Sequence, residues 1–219
     1  MVRRNDSLKV LFIGNSFTAR NDLPGLIARL ALARGKVLKH RLISAGGASL
    51  RRHWNAGEAQ KAINDGGFDF VVLQEQSTLP IKNPKRMHES IRLFDHAIKD
   101  AGGKTVLYMT WARQHAPETQ QAITDAYCGI GRELGAVVVP VGVAWQNILR
   151  KHDCPVLHDR DQSHPTLAGS YLAACVFLGT LFKESPVGLE GADLDKKDRI
   201  LLQKVAWQAC KTVTAARSK

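Results

Sequence analysis

The sequence predicts an α/β protein whose parallel sheet is covered by helices on both faces. Two observations lead there. Short apolar, β-branched runs alternate with longer amphipathic stretches along the whole chain, and no hairpin runs interrupt the alternation. Most of the strand-like runs, such as LKVLFI and FVVLQ, are largely apolar, as strands buried on both faces must be.

Leu8–Ile13 (LKVLFI) reads as a buried strand ended by Gly14. Asp22–Arg34 follows as a helix, with Asp22 as N-cap, Pro24 in the first turn and Leu23, Leu26, Ile27 and Leu30 on its apolar face. Val37–Ile43 and Phe70–Gln74 are the second and third strands. Met87–Asp100 is a helix closed by Gly102-Gly103. Lys104–Thr110 is the fourth strand, Glu118–Leu134 a helix stopped by Gly135, and Val137–Val141 the fifth strand. Helices Leu167–Phe182 and Leu194–Thr214 close the chain. With 219 residues, no repeat and no low-complexity linker, one domain over 1–219 is expected.

Composition narrows the function classes. No apolar run approaches the roughly 20 residues a membrane helix needs. The start of the chain enters a strand pattern by Leu8 without a signal-type apolar core, which reads as cytoplasmic. Cys128, Cys154, Cys175 and Cys210 share no CxxC spacing and no histidine cluster, so neither a metal site nor a disulfide framework is expected. The net charge of +11 favours anionic partners. Its carriers (Arg3, Arg4, Arg51, Arg52, Lys82, Lys85, Arg86, Lys196, Lys197) are scattered and not interleaved with aromatics, however, so nucleic acid is not the expected partner.

In parallel sheets, ligands bind at the carboxyl ends of the strands. Those ends carry Gly14-Asn15-Ser16, Gly46-Gly47, Gln74-Glu75-Gln76 and Trp111-Ala112-Arg113, and late in the chain comes Asp161-Gln162-Ser163-His164-Pro165. A serine between strand and helix can present its hydroxyl and its own N–H to one space. Asp161 and His164, three positions apart, can form the carboxylate–imidazole pair that activates a serine. Asp153 and His158 are a competing pair nearby. Pro165 restricts His164 to extended backbone angles, and Thr166 can cap the following helix. Gly47, with Gly46 in competition, can offer an N–H to an oxyanion, and Gln74 or Gln76 a side-chain N–H. Trp54, Trp111 and Arg113 are candidates to flank a substrate, Trp111 as a stacking face and Arg113 as an anion partner.

Gly14-Asn15-Ser16-Phe17 resembles the Gly-Asp-Ser block of the SGNH, or GDSL-like, hydrolases. Asp161-x-x-His164-Pro165 resembles their final Asp-x-x-His-Pro block, and Gly47 their second-block glycine. The resemblance spans residue 8 to about 183. Asn15 stands where the family has aspartate, and Gln74-Glu75-Gln76-Ser77 where it has Gly-x-Asn-Asp. That third block is more similar to the Gln-Gly-Glu block of carbohydrate acetyl- and sialate-acetylesterase relatives. Together with GNSF and TWAR, it is also similar to a poorly characterised SGNH subgroup.

The resemblance implies a three-layer flavodoxin-like fold with a five-stranded parallel sheet of order 2-1-3-4-5, and no cofactor. It implies a Ser16–His164–Asp161 triad and an oxyanion hole of Ser16, Gly47 and Gln74, with Gln76 the alternative and Asn15 beside the substrate. The expected function is hydrolysis of short acyl esters on a small molecule, an acetylated carbohydrate first. A ligand-binding protein that keeps the fold without the chemistry, and a nucleotide- or nucleic-acid-binding α/β protein, are the other readings. Against the last, the 46–49 glycine turn is too short for a phosphate loop and lacks its Gly-Lys-Ser/Thr ending.

Overall fold

Alternating apolar side chains in the first strand already divide the molecule into two cores. In the computed structural model, β1 (Ser7–Gly14) sends Val10 and Phe12 to one face of the sheet and Leu11 and Ile13 to the other, all fully buried. β2 (Val37–Ser44), β3 (Phe70–Leu73), β4 (Lys104–Tyr108) and β5 (Val137–Val139) complete a five-stranded sheet, all pairs parallel, in the order β2-β1-β3-β4-β5. The structure describes residues 6–151 and 153–215; Arg3 and Arg4 lie outside them.

One face is covered by α2 (Leu23–Leu32), α8 (Val141–Leu149), α9 (Leu167–Leu181) and α10 (Lys196–Ala215). α9 is apolar all round because it lies beneath α2, α8 and α10, with every residue from Ala168 to Thr180 buried. The other face is covered by α3 (Leu50–Ala56), α4 (Glu58–Asp65), α6 (Pro84–Asp100) and α7 (Gln120–Leu134). Short helices α1 (Ser16–Ala19) and α5 (Leu79–Lys82) follow β1 and β3. β2 is an edge strand, and its exposed Lys39, His40 and Arg41 put charge where another strand could otherwise pair. Among the described residues, no helix is long and apolar enough to cross a membrane.

Several boundaries differ from the sequence expectation, for physical reasons. The fifth strand stops at Val139 instead of Val141, because Pro140 has no N–H to donate and stands at the start of α8. The β-branched Val141 and Val143 conceal that helix in the sequence. α6 begins at Pro84, not Met87, because the Asn83 side chain accepts from Arg86 N and caps it. α3 and α4, not anticipated at all, are short, polar on their outer faces and broken at Gly57. The Asp22 cap on Gly25 N and the Thr166 cap on Gly169 N are present as expected.

Candidate active site

The parallel register brings the chemistry-bearing loops to one edge. Gly14 lies opposite Ser44, and Ile13 opposite Leu73, so the loops leaving β1, β2 and β3 emerge side by side. Ala45 N donates to Gly14 O and Gln74 N to Ile13 O, which extends the ladder past the strand ends. Asn15 caps α1 by accepting from Phe17 N, and Ser16, half-buried, is thereby fixed as the first residue of that helix.

The imidazole comes from a loop between α8 and α9. Ser16 Oγ lies 2.7 Å from His164 Nε2, across 148 positions of sequence. His164 Nδ1 meets Asp161 Oδ2, and the other oxygen, Asp161 Oδ1, accepts from Ser163 N at 3.0 Å and His164 N at 2.9 Å. One carboxylate therefore shapes the loop and orients the ring. Burial pushes the Asp161 carboxyl upward. The hydrogen bonds from the His164 ring, from His164 N and from Ser163 N, with the imidazole charge, outweigh it and hold Asp161 well below the usual carboxylate range.

The loop itself is pinned from several sides. Asp159 N donates to His164 O, Gln114 N to Gln162 O, Trp111 Nε1 to Ser163 O, and Asn21 Nδ2 to Pro165 O and Thr166 O. Arg20 pairs with Asp159 at the rim. The competing pair is not formed: His158 is buried and bonds Ala112 O, while exposed Asp153 sits 3.8 Å from Lys197. Burial lowers the His158 pKa, which suits a neutral ring donating to a carbonyl.

The third-strand glutamine is placed differently from the sequence expectation. Gln74 is fully buried, and its Oε1 accepts from Asn15 N and Thr18 Oγ1, both at 2.9 Å. The Asn15 N–H fixes which end of the amide is oxygen, and Nε2 turns away to Glu75 O. The expected role as oxyanion donor therefore fails on access: no substrate atom can touch an amide with 0% exposure. Gln74 instead holds the Asn15–Thr18 segment that carries Ser16. Gln76, the alternative, is half-buried; its Oε1 accepts from Thr78 and Leu79 N–H groups, and its Nε2 has no partner among the described residues. Asn15 is likewise buried, its Nδ2 donating to Ala48 O of the glycine loop. Gly14 must be glycine here, since a Cβ would stand 2.6 Å from Gln74 Oε1 and 2.7 Å from Thr18 Oγ1. Gly14→Ala is expected to displace that amide and cost about 1–3 kcal/mol, read as a lower denaturation midpoint in urea.

Unbonded backbone donors lie on the loops that leave β1 and β2. Among the described residues, no acceptor bonds the N–H of Ser16, Gly46 or Gly47. Gly47 has φ +62° and open space around its Cβ position, so backbone conformation alone demands glycine there.

Two residues not singled out from the sequence complete the framework. His53 is buried on α3 and its Nε2 bonds Gly14 O at 2.7 Å. Glu75 is fully buried; its Oε1 accepts from Leu50 N at 3.0 Å and Gln76 N at 2.7 Å, while its Oε2 has no partner. Glu75 thus anchors the helix that follows the Gly46-Gly47 loop. Burial raises its pKa to about 7; the two backbone hydrogen bonds and the charges of Arg86 and Arg51 offset only part of that. A carboxylate directly after the apolar run FVVL was the available sequence signal.

The aromatic candidates are structural. Trp111 is 1% exposed, sandwiched between Phe17 (5.0 Å) and Trp145 (3.8 Å), and has no face left for a sugar. Trp54 packs edge-on against Phe94 at 5.1 Å. Arg113 is half-buried in a cavity beside Trp145.

Comparison by sequence finds no matching family model and no matching curated protein. Comparison of folds does find similar proteins. A candidate SGNH hydrolase from Slackia heliotrinireducens is 27% identical with a TM-score of 0.70, over 80% of this chain and 99% of that one. A DUF4886 family protein from Bacteroides uniformis is 22% identical with a TM-score of 0.76, over 93% and 95% of the two chains. An acetyl xylan esterase from Geobacillus stearothermophilus is 19% identical with a TM-score of 0.61, over 80% and 94%. In strand order, helical layers and these likenesses, the chain has the fold of the SGNH, GDSL-like hydrolases.

Proposed function

We propose that the protein is a serine esterase that removes short acyl groups, acetyl on a carbohydrate or related small molecule foremost. The observation that carries this reading is the unbroken hydrogen-bonded chain Ser16 Oγ, His164 Nε2, His164 Nδ1, Asp161 Oδ2. In the proposed cycle, His164 Nε2 takes the Ser16 proton as Oγ attacks the ester carbonyl, and Asp161 stabilises the imidazolium. The oxyanion is received by the N–H groups of Ser16 and Gly47, which have no protein acceptor to give up first. His164 then protonates the departing alcohol, and water, activated by the same nitrogen, hydrolyses the acyl-enzyme. Support for a short acyl group comes from the fold shared with acetyl xylan esterases.

A fluorophosphonate probe tests the nucleophile. It is expected to label the wild-type protein at Ser16 and to leave Ser16→Ala unlabelled, with p-nitrophenyl acetate hydrolysis lost in the same variant. A folded wild type that neither labels nor hydrolyses short esters would instead favour the binding-protein reading.

A further inference from the structure

The ring contacts that begin at His164 lead away from the Ser16–His164 pair. His164 lies 5.1 Å from Phe17, Phe17 5.0 Å from Trp111, and Trp111 3.8 Å from Trp145. Only the last of these rings lines a second cavity, of about 200 Å³, and none of Ser16, Gly47, Asp161 or His164 reaches it. Its wall is chemically lopsided. Pro117, Trp145 and Leu149 make an apolar side, Arg113 and Arg150 bring two guanidinium groups, and no aspartate or glutamate lines it. Among the described residues, neither arginine has a carboxylate partner, whereas Arg20 and Arg92 do.

Two hydrogen-bond donors beside this cavity are also unsatisfied. Arg113 Nε and Trp145 Nε1 are both buried without an acceptor. Buried donors are normally paired, and orphans point to a missing acceptor. A planar carboxylate matches a guanidinium fork through two parallel N–H bonds, and an apolar body matches the Pro117 and Leu149 side chains. The floor is rigid: Ala112 N is held by Gln120 Oε1 at 2.8 Å, and Ala112 O by His158 Nε2 at 3.0 Å.

We infer that this cavity binds a small organic carboxylate with an apolar body, through Arg113 and Arg150, at a site separate from the Ser16–His164 pair. The inference does not depend on esterase activity, so the binding test and the labelling test above fail independently. Benzoate is the probe, with benzamide as its uncharged counterpart and inorganic phosphate as an anion lacking the ring. Binding is read by calorimetry and by quenching of tryptophan emission.

Benzoate is expected to bind saturably, at least about tenfold tighter than benzamide or phosphate, and to bind Ser16→Ala as tightly as wild type. Arg113→Gln and Arg150→Gln are each expected to weaken benzoate about tenfold. Their folding is checked by circular dichroism, and the benzoate–benzamide comparison in the unaltered protein stands even if a variant does not fold. Equal binding of benzoate and benzamide would overturn the site. So would benzoate affinity that both folded arginine variants retain, or that Ser16→Ala loses.

Discussion

Asp161→Asn is expected to cut ester turnover by about 10³–10⁴-fold while leaving the protein folded. The reason is a tautomer. In the variant, the asparagine oxygen keeps the N–H bonds from Ser163 and His164 that shape the loop. Its NH₂ then takes the place of Oδ2 and presents a donor to His164 Nδ1. The ring must accept there, so its proton moves to Nε2, the atom 2.7 Å from Ser16 Oγ, where it can no longer receive the serine proton. Flipping the amide would rescue the tautomer only by taking the acceptor away from two backbone N–H groups. The side chain is 44% exposed, so stability should change little and kcat/KM for p-nitrophenyl acetate isolates the chemical effect. Wild-type rates in a folded Asp161→Asn would remove Asp161 from the proposed triad.

Glu75 carries the second large effect, on stability and its pH dependence. An ordinary glutamate ionises near 4.5, and burial raises this one to about 7. The folded state therefore holds the proton more tightly than the unfolded chain, and folding takes up a proton between those values. The stabilising contribution is whole below pH 4.5 and is lost as pH rises through 7. Fully ionised, the buried carboxylate costs about 3 kcal/mol relative to its protonated form. Glu75→Gln keeps an oxygen for Leu50 N and Gln76 N without the ionisation. Urea denaturation at pH 5 and pH 8 should thus show the variant gaining up to about 3 kcal/mol on wild type across that interval. A stability difference independent of pH would exclude a raised Glu75.

Local motifs were legible where both partners lie close in sequence. Asp161 and His164 sit on one turn, so their pairing follows from spacing. The alternation of strand and helix patterns along the chain likewise foretold a parallel sheet with two covered faces. Residues whose partners come from other elements were misjudged. Gln74, at a strand end, looked like a donor facing substrate, yet the absence of a side chain at Gly14 lets its amide fold under the segment that carries Ser16. Trp111 looked like a binding surface, yet Phe17 and Trp145 close both its faces. His53 and Glu75 gave little signal because what they bind, Gly14 O and Leu50 N, are backbone atoms of distant segments.

The sequence by itself determined the layered α/β architecture, the serine at the first strand end and the pairing of Asp161 with His164 before α9, since periodicity and short spacings are properties of the covalent chain. Only the tertiary structure decided that Ser16 meets His164 across 148 positions, that Gln74 is buried, and that two unpaired arginines share a cavity with Trp145. Those outcomes depend on packing between segments, which sets the direction and exposure of each side chain and which no local pattern encodes.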